Sequence, residues 1–318
     1  MNPSYKGSVV IGIGVNSLIT SADWQSIAHQ YEAVEKTVRN IVDAHEEGWD
    51  VVLTHGNGPQ VGFILERSEI AAQDVITVPI DYAVADIQGA VGYMFGRAFD
   101  NEYYIRNIKK SAVAIITRVI VDPFDAAFRD PNKPIGPFFD EEKANERTHK
   151  FGWSVKEDPG KGWRRVVASP RPLEIVELDQ ILDLINRGYT VIACGGGGIP
   201  VSRSKNGELE GIEAVIDKDL TASLLASDLK ADVLLLVTEA PKVAINFGMP
   251  DQQWLDFLSI KEAEKLQTES QFDPGSMGPK VDAILKFLQN GGRRGIITDS
   301  KNIAGALTGV GGTQFYDP

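Results

Sequence analysis

Short Val- and Ile-rich runs that alternate with longer amphipathic stretches constrain this chain more than any other feature. The runs at 9–15, 51–54, 112–121, 190–194, 232–238 and 295–298 are almost wholly apolar and close on turn residues. That pattern reads as strands buried on both faces. The stretches 29–47, 174–187, 218–229 and 280–289 read as helices; in the second, Ile175, Leu178, Ile181, Leu182 and Ile185 recur at helical spacing. Strands alternating with helices predict an α/β fold of three layers, with a central, mainly parallel sheet covered on both faces. A chain of 318 residues, 43% of them hydrophobic, can fill such a core, and residues 1–318 read as one domain.

One stretch interrupts the rhythm. Residues 122–172 are polar and rich in proline and aromatics, and the stretch is far longer than the connections usual within a compact domain. It reads as a small inserted lid subdomain, the alternative being a surface excursion without function.

The formal net charge of −12 argues against a nucleic-acid partner, because no basic excess is available to neutralise phosphates. A single cysteine, Cys194, excludes an intramolecular disulfide and a cysteine zinc site. The opening residues lack the layout of a secretory signal, and no apolar stretch is long enough to span a bilayer. These features predict a cytoplasmic protein without a membrane partner.

Glycine-rich turns follow the predicted strands: Gly12-Ile-Gly14-Val-Asn16, His55-Gly-Asn57-Gly58-Pro-Gln60, Gly195-Gly196-Gly197-Gly198-Ile-Pro200, and later Pro274-Gly-Ser-Met277-Gly278-Pro-Lys280. A glycine between strand and helix lets backbone N–H groups approach a phosphate, and the helix N-terminus adds positive potential. Each turn taken singly is better explained by steric need than by a ligand. Loops at the ends of parallel strands, however, converge on one sheet edge, where α/β ligands bind. No GxxxxGK[ST] loop is present, and Gly12-Ile-Gly14 lacks the third glycine of a dinucleotide fingerprint. Of the four histidines only His55 adjoins a glycine loop. Lys133, Lys218 and Lys280 each lie in or beside a rigid turn, and Asp217 and Asp219 flank Lys218. Phosphoryl transfer needs fixed positive charge of this kind around the migrating group. The carboxylates could orient Lys218 or hold Mg²⁺.

These segments together resemble the carbamate kinases of the amino-acid kinase family. The resemblance runs through His55–Gly62, Pro79-Ile-Asp81 with Gln88-Gly89 and Gly92-Tyr93, and Asp122-Pro with Lys133–Pro137. It continues through Gly162–Val167 with Ser169-Pro170, Gly195–Pro200, Glu213–Leu220, Asn246–Gly248 and Pro274–Lys280. It implies the amino-acid-kinase fold, a homodimer, and the reversible reaction of ATP with carbamate to give ADP and carbamoyl phosphate, with Mg²⁺. On that basis Lys133, Lys218 and Lys280 would stabilise the transferring phosphoryl, and Asp217 would organise the lysines and is the candidate metal ligand. Gly14, Asn16, Asn57 and Gly58 would hold the acceptor and the phosphate, assisted by amides at Gly196 and Gly197, with Arg164 closing the lid on an anion. The nucleotide side would be Thr238, Ala244, Asn246, Met277 and Gly278.

The sequence departs from that pattern at defined places. Val15 stands where the family has a second glycine, and a branched residue resists positive φ and close approach to a phosphate. Lys242 replaces a glycine, Ala244 replaces the tyrosine expected beside the nucleotide, and Val84 and Asp86 replace small or apolar residues. The resemblance therefore leaves three readings: a working carbamate kinase, a kinase for another small carboxylate or carbamate-like acid, and a binding or regulatory homologue without catalysis.

Overall fold

The computed structural model describes residues 5–14 and 26–317. The first half of the chain runs β1 (Gly7–Ile13), α1 (Ile27–Glu46), β2 (Trp49–His55), α2 (Gly58–Ile70), α3 (Ile80–Ile105), β3 (Ala112–Ala114) and β4 (Arg118–Val121). A middle section holds β5 (Lys133–Phe139), α4 (Glu141–Phe151), β6 (Ser154–Asp158), β7 (Gly162–Val167) and β8 (Pro172–Ile175). Then come α5 (Leu178–Asn186), β9 (Thr190–Ile192), β10 (Ile199–Arg203), β11 (Leu209–Gly211), α6 (Lys218–Asp228), β12 (Val233–Thr238), β13 (Val243–Ile245) and β14 (Gln253–Leu255). The chain closes with β15 (Phe257–Ser259), α7 (Ile260–Thr268), α8 (Met277–Gln289), β16 (Arg294–Asp299), α9 (Ile303–Leu307) and β17 (Thr313–Tyr316).

The main sheet has the order β15-β17-β16-β12-β1-β2-β9-β3. From β16 to β3 every pairing is parallel, and β17 joins β16 antiparallel. Successive residues of a strand point to opposite faces, and the two cores follow from that alternation. Val9, Ile11 and Ile13 of β1 pack with Val34, Val38 and Ile41 of α1 and Phe95 and Phe99 of α3. Val10, between them, joins Leu234 and Leu236 of β12, Leu225 of α6 and Ile284 and Leu288 of α8 on the other side. The three-layer α/β fold is as the sequence predicts.

Two element boundaries are corrected. The apolar run 112–121 is two strands in two sheets: β3 borders the main sheet, whereas β4 lies in the sheet β11-β10-β4-β8. The break falls at Thr117, which Gln88 of α3 grips by its backbone. Gln88 Oε1 accepts from Thr117 N at 2.8 Å, and Gln88 Nε2 donates to Thr117 O at 3.0 Å. The helix read over 174–187 begins only at Leu178, because Glu174 and Ile175 belong to β8 and pair with β4. Ile175 is buried there as a strand residue, which helical spacing cannot distinguish from one turn of helix.

Within 122–172 the chain builds a further sheet, β5-β7-β6. Its own small core is Phe139, Ala144 of α4 and Trp153, with Phe139 and Trp153 ring centroids 5.5 Å apart. The sheet packs on the rest of the molecule through α2, where a Cβ added at Gly62 would lie 2.0 Å from Gly136 Cα. Only glycine allows helix and strand to approach so closely.

Candidate active site at the strand ends

The C-terminal ends of β1, β2 and β12 open on a cleft of about 1160 Å³. Gly14, Asn57, Gly58 and Thr238 line it from those strand ends, and Lys133, Arg164, Asp217, Lys218, Ala244, Met277 and Lys280 complete the wall. Eleven of the residues singled out in the sequence are therefore brought to one place. Asn16 and Val15 lie outside the described residues.

The charged centre is built from the N-terminus of α6. Asp217 is its N-cap: Oδ1 accepts from the amides of Asp219 at 2.9 Å and Leu220 at 3.3 Å, satisfying donors that a helix start leaves unpaired. Its other oxygen, Oδ2, accepts from Lys133 Nζ at 2.5 Å. Asp219, whose side chain is only 4% exposed, pairs with two lysines, Lys218 Nζ at 2.6 Å and Lys280 Nζ at 3.1 Å. Three ammonium groups thus face two carboxylates, and the positive excess is available to an anion in the cleft.

The titration of these groups follows from that arrangement. Burial alone would raise the Asp217 carboxyl, but Lys133 and Lys218 hold it well below the usual carboxylate range. Asp219 is also buried and is held low by Lys218 and Lys280. The two lysines on Asp219 shift oppositely. Burial and the like charge of Lys280 outweigh Asp219 and lower Lys218, whereas Asp219 and Asp217 outweigh burial and raise Lys280. Burial lowers Arg164, whose Nε donates to Gly136 O at 2.8 Å in the small sheet.

Gly196 and Gly197 stand behind the cleft wall. Asn57 Nδ2 donates to Gly196 O at 3.2 Å and Thr221 Oγ1 to Gly197 O at 2.9 Å. Gly196, Gly197 and Gly198 all have positive φ, and a Cβ at Gly197 would lie 2.4 Å from Ile216 O. The glycine run thus lets the segment before α6 sit against the loop, and it shapes the site from outside. His55 serves the same loop. It is buried, with Nδ1 2.8 Å from Gly56 O, and a Cβ at Gly195 would strike its Nε2.

The family model of the amino acid kinase family matches residues 8–299. The chain belongs to the amino acid kinase family. Among curated relatives, the carbamate kinase of Thermococcus kodakarensis is 45% identical over 310 residues, 96% of this chain and 98% of that protein. The carbamate kinase-like protein YahI of Escherichia coli is likewise 45% identical, over 98% of this chain and 99% of its own length. Carbamate kinase from Giardia lamblia bound to AMP-PNP superposes with a TM-score of 0.91 at 40% identity, covering 98% of this chain and 99% of that one. As a member of this family the chain is a kinase, a phosphotransferase.

On the far side of this kinase cleft Phe247, Gln252, Trp254, Gln271 and Phe272 add to the wall. β13 pairs antiparallel with β14 so that Ala244 stands directly opposite Trp254. An aromatic side chain therefore stands beside Ala244 in the cleft wall, contributed by the neighbouring strand. Phe247 and Trp254 are both exposed to the cleft, with ring centroids 6.2 Å apart. Lys242 lines the same wall and is ion-paired with Asp256. Asn246 and Gly278 do not line the cleft; Asn246 braces its own turn, Nδ2 donating to Asp251 Oδ2 at 2.7 Å.

Sequence reasoning missed the weight of Asp219 and the aromatic pair. The first was signalled by its place in Asp217-Lys218-Asp219. The second had no local signal, since Trp254 meets Ala244 only through strand pairing.

Among the described residues no group of three or more His, Cys, Asp or Glu side chains is placed to hold a metal ion. Asp217 has both oxygens engaged, as does Asp219. Among the described residues these carboxylates alone do not make up the ligand set of a resident metal.

Proposed function

We propose that the chain is a carbamate kinase, catalysing ATP + carbamate ⇌ ADP + carbamoyl phosphate. The observation that carries this reading is the Lys133–Asp217 and Lys218–Asp219–Lys280 array beside the Asn57–Gly58 turn, in a full-length relative of carbamate kinases. In the forward direction a carbamate oxygen forms a bond to the γ-phosphorus while the bond to the β–γ bridging oxygen breaks, and that electron pair stays on ADP. Carbamate is already an anion, so no general base is needed, and both aspartates are held ionised by the lysines. Lys133, Lys218 and Lys280 offset the charge that spreads over the equatorial oxygens. Gly14, Asn57 and Gly58 hold the acceptor end, with Asn16 assigned there from the sequence, and Arg164 closes over it.

The nucleotide lies along Thr238, Ala244 and Met277, its base against Trp254 and Phe247. Mg²⁺ would be held mainly by the nucleotide phosphates and its own waters, and it would offset phosphate charge there. Residues 122–172 act as a lid on a single domain. The homodimer is supported by α3, which exposes Tyr82, Tyr93, Tyr104 and Ile105 beside Gly89 and Gly96. The one cysteine suits a reducing cytoplasm.

The test is ATP formation from ADP and carbamoyl phosphate, with acetyl phosphate as the competing donor. Selective use of carbamoyl phosphate supports the reading. Preference for acetyl phosphate would move it to another small carboxylate, and the absence of transfer from either would move it to a binding role.

A further inference from the structure

The β5-β7-β6 sheet is tied to α2 by a carboxylate that the reaction itself does not use. Glu69 lies near the end of α2, and its side chain is only 9% exposed. Its Oε1 accepts from Trp153 Nε1 at 2.7 Å and from Arg165 Nη1 at 3.0 Å, and Oε2 faces Arg147 Nη1 at 3.6 Å. Those partners come from β7, from α4 and from the turn after α4, so one side chain of the main body gathers three parts of the small unit. Trp153 is in addition covered by the Arg165 guanidinium, 4.8 Å from the ring centroid, and packs on Phe139.

The geometry carries this anchor to the reacting centre by a short route. Arg165 of β7 is paired with Ile135 of β5, two residues from Lys133, and Lys133 itself is paired with Val167. The other end of α2 starts at Asn57 and Gly58 in the cleft. Midway, Gly62 of α2 presses on Gly136 of β5. Along this route the small sheet meets the main body through Glu69 at one end, the glycine contact in the middle and Lys133 on Asp217 at the other, with Ile135 and Val167 packed into the main core and Lys143 of α4 3.8 Å from Glu66 of α2. A buried carboxylate with two arginines is costly to desolvate and contributes little net stability; its value lies in fixing orientation.

We propose that Glu69 is a positioning residue for phosphoryl transfer, locking the small sheet on α2 so that Lys133 stands over Asp217. The proposal rests on the carbamate kinase reading, and its test separates the two. Glu69→Ala and Glu69→Gln are made in the wild-type protein and in Lys133→Ala. Each is assayed for ATP synthesis from ADP and carbamoyl phosphate, and amide exchange is followed over 133–139 and 162–167.

A displacement of about an ångström costs on the order of a hundredfold in rate, so Glu69→Ala should lower kcat at least ~10-fold with KM for ADP within ~2-fold. Glu69→Gln, which keeps an acceptor for Trp153, should recover part of the loss, and exchange in both segments should rise in Glu69→Ala. In Lys133→Ala the effect should shrink below ~3-fold, because residues acting through one another are not additive. An equal loss in both backgrounds overturns the proposal, as does unchanged kcat with unchanged exchange. Should Glu69→Ala fail to fold, Glu69→Gln carries the same comparison. A wild-type protein without turnover would remove the functional reading, and the exchange result would then decide whether Glu69 is a clamp at all.

Discussion

Lys133 and Asp217 are 84 positions apart in the chain, and their Nζ and Oδ2 atoms meet at 2.5 Å. The lysine opens β5 in the small sheet, and the aspartate caps α6 in the main body. The main body supplies Asp217, Lys218, Asp219 and Lys280, and the small sheet adds Lys133 where the two units touch. The aspartate spends one oxygen on helix amides and the other on the lysine, so its position is set from both sides.

Asp219 bears on both stability and turnover. Removing one partner of a buried ion pair costs about 3–5 kcal/mol, because the remaining charges stay buried without compensation. Asp219→Asn leaves Lys218 and Lys280 facing each other. We expect urea unfolding to show a loss of roughly 3 kcal/mol and turnover to fall at least ~100-fold. A variant as stable and as active as the wild type would show that the lysines are not held by this carboxylate.

The pH dependence of stability has a definite sign. Burial lowers the folded-state value of His55 to about 4, against ~6.5 in an unfolded chain. Between those values the unfolded state binds more protons, so stability is full above pH ~6.5 and declines as pH falls toward 4. At pH 4.5 the loss relative to pH 7 should be on the order of 2–3 kcal/mol from His55, and His45, lowered mainly by burial, adds to the same slope. His55→Asn, which can still reach Gly56 O, should flatten the dependence in denaturant titrations at pH 7 and 4.5. An unchanged slope would mean that His55 is protonated in the fold.

Much of this arrangement was legible before any coordinates. Buried strands ending in glycine turns predict the parallel sheet and the edge on which Gly14, Asn57 and Thr238 converge. The unusual settings of Lys133, Lys218 and Lys280 point to the charge centre. What could not be read depends on partners distant in sequence. Apolar content in 112–121 does not report a bend, and Gln88, which makes it, lies on another element. Ile175 fits a helical spacing and a strand equally until β4 is beside it. Glu69, in the polar run Glu66-Arg67-Ser68-Glu69, has the sequence signature of an ordinary solvated residue.

Trp254 separates nucleotide binding from chemistry. Stacking a base on an aromatic ring contributes about 1–3 kcal/mol. Trp254→Ala should therefore raise KM for ADP by roughly 10-fold or more and leave kcat within ~2-fold, a loss of binding without loss of transition-state stabilisation. A fall in kcat with KM unchanged would place Trp254 outside the nucleotide site.

On the carbamate kinase reading, three lysines ordered by two aspartates carry the phosphoryl group between ADP and a carbamate oxygen. The most direct measurement is the rate of ATP formation from ADP, Mg²⁺ and carbamoyl phosphate, compared between the wild type and Lys218→Ala with folding verified by circular dichroism. We predict robust turnover in the wild type and a loss of at least ~100-fold in the variant, the size expected for one charge-stabilising group at a transition state. A folded wild-type protein that makes no ATP, or a variant that makes it equally fast, would rule out this role for the lysines.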